Sequence, residues 1–123
     1  MQYPATSTVA ENQTLSNPMY IHSIPNNNDN QDIVSMGCNA AMMCSRVIDN
    51  AYEVLAVEAV ALVQAIDLRG FSNKLAPSTK WMYNGVRNLF PFFKEDFSAS
   101  PNLQEVKQWL IDTDIVAHFK KKI

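Results

Sequence analysis

Glycine is scarce in this sequence of 123 residues, which contains only Gly37, Gly70 and Gly85, none of them close to another. Phosphate-binding loops and the GxGxxG turn of dinucleotide-binding folds require closely spaced glycines, so the sequence excludes both kinds of site. Tight β-hairpins usually need glycine as well, which favours helices over sheets. We therefore predict an all-α protein.

Basic residues and cysteines are also few. Ten Lys and Arg residues against twelve Asp and Glu residues give a net charge of −2, and a chain without a basic stripe is a poor candidate for binding nucleic acid. Cys38 and Cys44 are six residues apart, so they point to different sides of a helix and cannot pair within it. Since no second Cys or His pair completes a zinc site, we expect reduced thiols, a cytoplasmic location and no bound metal.

Long uncharged apolar runs are absent too. The most apolar stretch carries Glu53, Glu58 and Asp67, so no segment resembles a transmembrane helix and no membrane partner is expected. The first residues have neither the basic region nor the apolar core of a signal peptide. With 47% hydrophobic residues, the composition is that of a globular chain.

Composition divides the chain into three segments. Residues 1–36 are polar and predicted to be irregular, with a short helix at 9–15 and an amide-rich loop at 26–32, because side-chain amides compete with the backbone for hydrogen bonds. Residues 37–69 contain no proline and no internal glycine, which predicts one long core helix. Residues 70–123 predict shorter helices, and together the segments form one part of a larger domain.

The predicted helix of residues 37–69 is too long for a compact domain of this size. Gly70 is a suitable end for it, and at about 1.5 Å per residue it spans on the order of 48 Å, against a diameter near ~30 Å for such a globule. The helix therefore needs neighbours that this chain does not supply, which predicts either a segment of a larger long-helix bundle or a subunit of a helical assembly. Its polar residues share one arc of about 100° on a helical wheel: Arg46, Asp49, Asn50, Glu53, Gln64 and Asp67.

Titratable residues offer little sign of catalysis. Glu58 lies opposite the polar arc among apolar residues, and a buried carboxylate has to be paired or neutral. We expect a structural ion pair there, with a catalytic acid as the alternative. His22 and His118 have no nearby nucleophile, so neither receives a role.

The amide-rich loop at 26–32 is the one constellation with binding potential. By composition alone it is a solvated surface loop. Its position directly before a long rigid helix favours the alternative of a binding loop. Amide side chains both donate and accept hydrogen bonds, so they suit the polar ends of a zwitterionic small molecule.

The run NQDIVSMG at positions 30–37 resembles the NQDxxSxG motif of the aromatic amino acid ammonia-lyases. Further stretches resemble that family in the same order: AEN at 10–12, VLAVE at 54–58, QAIDLR at 64–69 and LAPST at 75–79. The resemblance covers nearly the whole chain and implies the last quarter or so of such an enzyme.

This resemblance implies a homotetrameric enzyme of long helices that eliminates ammonia from histidine, phenylalanine or tyrosine to give the unsaturated acid. The family's electrophile, 4-methylideneimidazole-5-one, forms from an internal Ala-Ser-Gly, and a tyrosine on a mobile loop acts as base. None of the three glycines here completes an Ala-Ser-Gly sequence. The resemblance therefore implies a chain that is inactive alone and has the upstream portion of the same lyase as its partner.

Three loop residues match substrate-pocket positions of the family. The resemblance implies that Asn30 helps to hold the substrate carboxylate, that Gln31 lies near the prosthetic group and that Asn27 lines the pocket. Asp32 and Ser35 are implied to support the loop, with Ser35 as N-cap of the long helix. Typical histidine ammonia-lyases carry Glu where this chain has Gln31, so Gln31 and Asn27 favour tyrosine or phenylalanine as substrate.

Two alternatives to an ammonia-lyase stay open. An aminomutase of the same family re-adds ammonia at the β-carbon, and the amide motif is compatible with both reactions. The other alternative is a non-catalytic helical oligomerisation module. Copurification with a larger upstream polypeptide would favour a part of a lyase over such a module.

Overall fold

The computed structural model describes residues 2–21, 24 and 35–120, and within these ranges the chain is helical with no strand. The all-α prediction is therefore confirmed. Five α-helices and two 3-10 turns follow one another in this order: α1 Gln2–Leu15, a turn at Met19–Ile21, α2 Gly37–Leu68, a turn at Ser72–Lys74, α3 Pro77–Leu89, α4 Ser100–Asp112 and α5 Ile115–Lys120.

Helix α1 corrects the prediction that residues 1–36 are irregular. It spans 14 residues from Gln2 to Leu15 and begins well before the short helix predicted at 9–15. Pro4 lies in the first turn, where no intrahelical partner for its missing N–H is needed. Only Thr8 is buried in α1, so the helix has no apolar stripe from which its periodicity could be read.

Helix α2 contains 32 residues and ends as the sequence predicts. Gly70 has the positive φ of 65° that glycine adopts readily. Its N–H donates to the carbonyl of Asp67 at 3.0 Å, and the N–H of Phe71 donates to the carbonyl of Ile66 at 3.0 Å. These two bonds form a Schellman motif that satisfies the last carbonyls of the helix.

The start of α2 differs from the predicted cap by one residue. The N-cap of α2 is Met36, with φ 50° in the left-handed region and no side-chain capping bond, so the prediction of Ser35 as N-cap is wrong. The left-handed backbone of Met36 turns the chain into the helix one position after Ser35. A Pro at position 101 is accommodated in the first turn of α4, whose N-cap is Ala99.

Three helices, α2, α3 and α4, meet in a small apolar core. Val60, Phe90 and Val106 are fully buried. Helices α3 and α4 approach closely where Gly85 faces the indole of Trp109. Helix α5 adds an aromatic contact, in which His118 stacks on Trp81 with ring centroids 3.8 Å apart. The buried members of the core are Ala56, Val60, Val63, Val86, Phe90, Val106 and Leu110.

Helix α2 turns its polar arc towards its own chain and its apolar side outward. Ile48, Leu55 and Leu62 recur every seven residues and remain 53%, 49% and 57% exposed, and we call these three the outer stripe. Glu58 lies on the same exposed side, so the expectation of a buried, ion-paired carboxylate is wrong. All six arc residues contact other elements: Arg46, Asp49, Asn50, Glu53, Gln64 and Asp67.

No helix in the described part of the chain is both long enough and apolar enough to cross a membrane. The long helix α2 comes nearest by length, but charged and amide side chains are distributed along its polar arc. This finding agrees with the absence of uncharged apolar runs in the sequence.

Candidate functional site

Most predicted site residues belong to the segment that joins α1 to α2. Asn27, Asn30, Gln31 and Asp32 lie outside the described residues, so their predicted roles stay predictions. Ser35 is described and exposed, directly before the start of α2. The structure therefore defines the two helices that flank the segment.

A polar cluster joins these two flanking helices, and we call Glu11, Asn12, Arg46 and Asn50 the Asn50 cluster. The Nδ2 group of Asn50 donates to Glu11 Oε2 at 3.1 Å and to Asn12 Oδ1 at 2.8 Å. Asn12 donates to the carbonyl of Val47 at 3.4 Å, and Arg46 donates to Glu11 Oε1 at 3.2 Å. Both donor hydrogens of the Asn50 amide are thereby used.

Burial within this cluster is uneven. Asn50 is only 2% exposed, so its amide depends on protein partners rather than on water. The Arg46–Glu11 ion pair has side chains 58% and 44% exposed, and a pair that exposed contributes little to stability. The energetically important contacts of the cluster are therefore those made by Asn50.

A second cluster lies near the other end of α2, and we call Gln64, Asp67, Tyr83 and Arg87 the Asp67 cluster. The Tyr83 hydroxyl donates to Asp67 Oδ1, and Arg87 donates to Asp67 Oδ2 at 2.7 Å and to Gln64 Oε1 at 2.9 Å. Arg87 also donates to the carbonyl of Phe90 at 3.0 Å. The cluster fixes α3 and its exit turn against α2.

The chemistry of Tyr83 is that of a hydrogen-bond donor. Its hydrogen bond to Asp67 raises the pKa of Tyr83 above the ordinary value, burial and the Asp67 charge act in the same direction, and Arg87 opposes them. A phenol with a raised pKa stays protonated near neutral pH. Tyr83 therefore acts in this structure as a hydrogen-bond donor to Asp67.

The remaining metal-ligating and nucleophilic groups in the described ranges do not gather into a larger cluster. Residues 2–21, 24 and 35–120 hold no group of three or more His, Cys, Asp or Glu side chains that could bind a metal. Cys38 and Cys44 are free and exposed, as the sequence predicts. Lys107 forms an ion pair with Asp49 at 2.8 Å, which joins α4 to α2.

Clefts open between the helices in the described part of the chain. A cleft of about 310 Å³ between α1, α2 and α4 includes Glu53 and Lys107 in its wall. An apolar cleft of about 260 Å³ between α2 and α3 includes Leu62 and Met82. The second cleft adjoins the outer stripe.

Sequence reasoning identified the polar arc on α2 but missed the Asn50 cluster as a unit. The available signal was Asn50 on α2 together with the AEN run at 10–12. An amide donates two hydrogen bonds, and Glu11 and Asn12 both carry side-chain oxygens that accept them. Spacing along the chain could not pair them, because Asn12 and Asn50 are 38 positions apart.

Comparison with known proteins identifies relatives of one kind. A family model described as aromatic amino acid lyase matches residues 1–88. The tyrosine ammonia-lyase of Cupriavidus metallidurans is 45% identical over 95 residues, which cover 77% of this chain and 18% of that protein. The histidine ammonia-lyase of a Geobacillus species is 38% identical over 114 residues, covering 93% of this chain and 22% of that protein.

A solved structure of tyrosine aminomutase from Streptomyces globisporus shares the fold of the chain. It matches with a TM-score of 0.89 and 38% identity, over 98% of this chain and 23% of that one. The chain thus spans about a fifth of the length of the curated relatives described above. From the family match, the sequence identities and this structural agreement, the chain belongs to the aromatic amino acid lyase family.

Proposed function

We propose that this chain is the C-terminal portion of an aromatic amino acid ammonia-lyase, which eliminates ammonia from tyrosine, phenylalanine or histidine to give the unsaturated acid. The observation that carries the proposal is the match of 98% of the chain to only 23% of an aminomutase structure. A chain in this relation to its relatives supplies one part of an enzyme. The chain alone is therefore expected to show no turnover.

The outer stripe supports the need for further protein. Ile48, Leu55 and Leu62 are about half exposed on one side of α2, and aligned apolar side chains of this kind mark an interaction surface. In this proposal the upstream portion of the lyase is the partner, further copies complete a cytoplasmic homotetramer, and the small substrate binds in the complete enzyme.

Pocket chemistry rests on the loop amides. In this proposal Asn30 helps to hold the substrate carboxylate, Gln31 lies near the prosthetic group, and Asn27 lines the pocket. Neutral amides donate to oxygen atoms of both a carboxylate and a carbonyl-bearing group, so these residue types fit 4-methylideneimidazole-5-one and an amino acid together. That group supplies an electrophile when it is bound, and its Ala-Ser-Gly precursor is not in this sequence.

A chimera tests the proposal. Residues 1–123 replace the matching segment of the Streptomyces globisporus tyrosine aminomutase, and tyrosine, phenylalanine and histidine are offered while ultraviolet absorbance reports the conjugated acid. We expect product from the chimera and none from the isolated chain. Turnover by the isolated chain, or a correctly assembled chimera without turnover, would refute the proposal.

Substrate choice is tested in the same chimera with a matched pair of variants. Gln31→Glu is expected to shift the ratio of kcat/KM towards histidine, because a carboxylate suits an imidazole substrate better than an amide does. Gln13→Glu makes the same change at an exposed position of α1 and is expected to leave the ratio unchanged. Equal ratios of kcat/KM in both variants would contradict the proposed place of Gln31 in the substrate pocket.

An aminomutase is the second candidate function, and the TM-score of 0.89 to a tyrosine aminomutase favours it. Such an enzyme returns ammonia to the β-carbon of the same intermediate product. Mass spectrometry after chromatography separates a β-amino acid from the unsaturated acid. A chain that forms defined oligomers yet never supports either product would instead be a helical oligomerisation module.

A further inference from the structure

We infer that Asn50 is a positioning residue, which sets the register of α1 against α2 and thereby the places where the joining segment leaves each helix. The inference rests on the proposed function, because that segment carries the proposed pocket residues Asn30 and Gln31. The Asn50 side chain lies between α1 and α2, where it bonds to Glu11 and Asn12.

The two helices run antiparallel, and their polar contacts form a ladder. Asn50 meets Glu11 and Asn12, and one turn further along Glu53 accepts a bond from Thr8 at 3.3 Å. The contacts therefore follow one register, in which a later residue of α2 meets an earlier residue of α1. Glu11 and Asn12 lie within one turn of the end of α1 at Leu15.

This register depends on hydrogen bonds more than on apolar packing. Thr8 is the one buried residue of α1, and the buried core cluster draws its members from α2, α3 and α4 with Phe90. A slide of α1 by one turn, about 5.4 Å, would leave the buried Asn50 amide without its partners. A single buried amide that specifies register is a known use of polar groups between helices.

The register of α1 bears on catalysis because the end of α1 leads into the segment that carries the proposed pocket residues. A misplacement of about 1 Å in a binding group can reduce turnover about a hundredfold. The Asn50 cluster secures α1 within one turn of the start of the joining segment, whereas the Asp67 cluster lies at the far end of α2. Of these two clusters, the Asn50 cluster is therefore the one that fixes where α1 leads into the joining segment.

Exchanging the hydrogen-bond donor at position 50 and the acceptor at position 11 tests the inference in the 123-residue chain. Asn50→Asp removes both donor hydrogens and places a carboxylate beside Glu11, so amide hydrogen exchange in α1 is expected to become at least about tenfold faster. Glu11→Gln alone keeps an acceptor and is expected to change exchange little. The double variant Glu11→Gln with Asn50→Asp lets the new amide donate to the new carboxylate, and it is expected to recover part of the slow exchange, because position 50 still lacks a donor for Asn12 Oδ1.

Asn102→Asp provides the matched control. Asn102 also bridges two elements, donating to the carbonyl of Leu89 at 2.9 Å, but it lies in the α3–α4 region. It is expected to leave exchange in α1 unchanged. Failure of the double variant to recover any of the slow exchange in α1, or an equal effect of Asn102→Asp on α1, would overturn the role of Asn50.

Activity of the chimera gives the second readout. Asn50→Asp is expected to lower kcat/KM about ten- to a hundredfold in a chimera of unchanged oligomeric state, with partial recovery in the double variant. Loss of activity without recovery would reduce Asn50 to a structural residue. An inactive parent chimera would count against the proposed function, while hydrogen exchange in the chain would still decide the role of Asn50.

Discussion

Replacing Gly85 by alanine tests the close approach between α3 and α4. A Cβ atom added at Gly85 would lie 2.5 Å from Cζ2 and 2.7 Å from Cη2 of Trp109. Carbon atoms in contact normally stay beyond about 3.5 Å. Either the indole turns away or the two helices move apart.

Two opposing effects set the size of the change. Alanine is favoured over glycine inside a helix by about 1 kcal/mol, while overpacking a well-filled core costs about 1–3 kcal/mol. The Trp109 ring packs against Trp81 at 5.6 Å, and Trp81 stacks on His118, so the indole cannot turn without disturbing α5. The two figures leave a net loss of about 0–2 kcal/mol in the free energy of unfolding, and we expect the upper half of that range because the indole is held in place.

Urea denaturation followed by circular dichroism and tryptophan fluorescence measures this loss. Gly37→Ala is the matched control, because its added Cβ meets only Ser35 Oγ at 3.7 Å, and it is expected to be neutral or slightly stabilising. Combining Gly85→Ala with Trp109→Leu should recover part of the loss, since the clash is removed. A Gly85→Ala chain as stable as the parent would refute the close approach of α3 and α4.

Two further predictions concern charged and phenolic groups. Asp67→Asn should cost about 2 kcal/mol in the free energy of unfolding measured by urea denaturation, because Arg87 loses a partner whose side chain is only 19% exposed. Arg46→Gln should cost under about 1 kcal/mol, because the Arg46–Glu11 pair is exposed. Equal losses would contradict this prediction. Because the pKa of Tyr83 is raised in the folded chain, its contribution to stability is complete below pH 10.0, the ordinary pKa, and is lost as pH rises above it. Melting temperatures of Tyr83→Phe should therefore fall less steeply above that pH than those of the parent chain, and parallel curves would contradict the shift.

Local sequence properties predicted the long helix well. The absence of proline and internal glycine between residues 37 and 68, and the left-handed preference of Gly70, are both readable without tertiary contacts. Helix α1 could not be predicted in the same way, because it has no apolar stripe. Its stability comes from partners on α2 more than thirty positions away, such as Asn50.

The orientation of α2 in the fold could not be predicted from the sequence pattern. A helical wheel correctly groups Glu58 with apolar residues, but it does not say which side of the helix meets the rest of the chain. The inference that apolar means buried failed at Glu58, since the polar arc is the side that bonds to α1, α3 and α4. For the candidate site, the motif at 30–37 led to the correct family, while the cap at Ser35 was one residue out because Met36 adopts a left-handed backbone.

The outer stripe of α2 makes the apparent stability of this chain depend on any protein that binds the stripe. Any protein that covers Ile48, Leu55 and Leu62 binds the folded form alone, because the unfolded chain does not align these side chains on one surface. By mass action, such a partner at a hundred times its Kd adds about 2.7 kcal/mol to the apparent stability. Under the proposed function, the melting temperature of this chain should therefore rise with the concentration of the partner that covers the stripe.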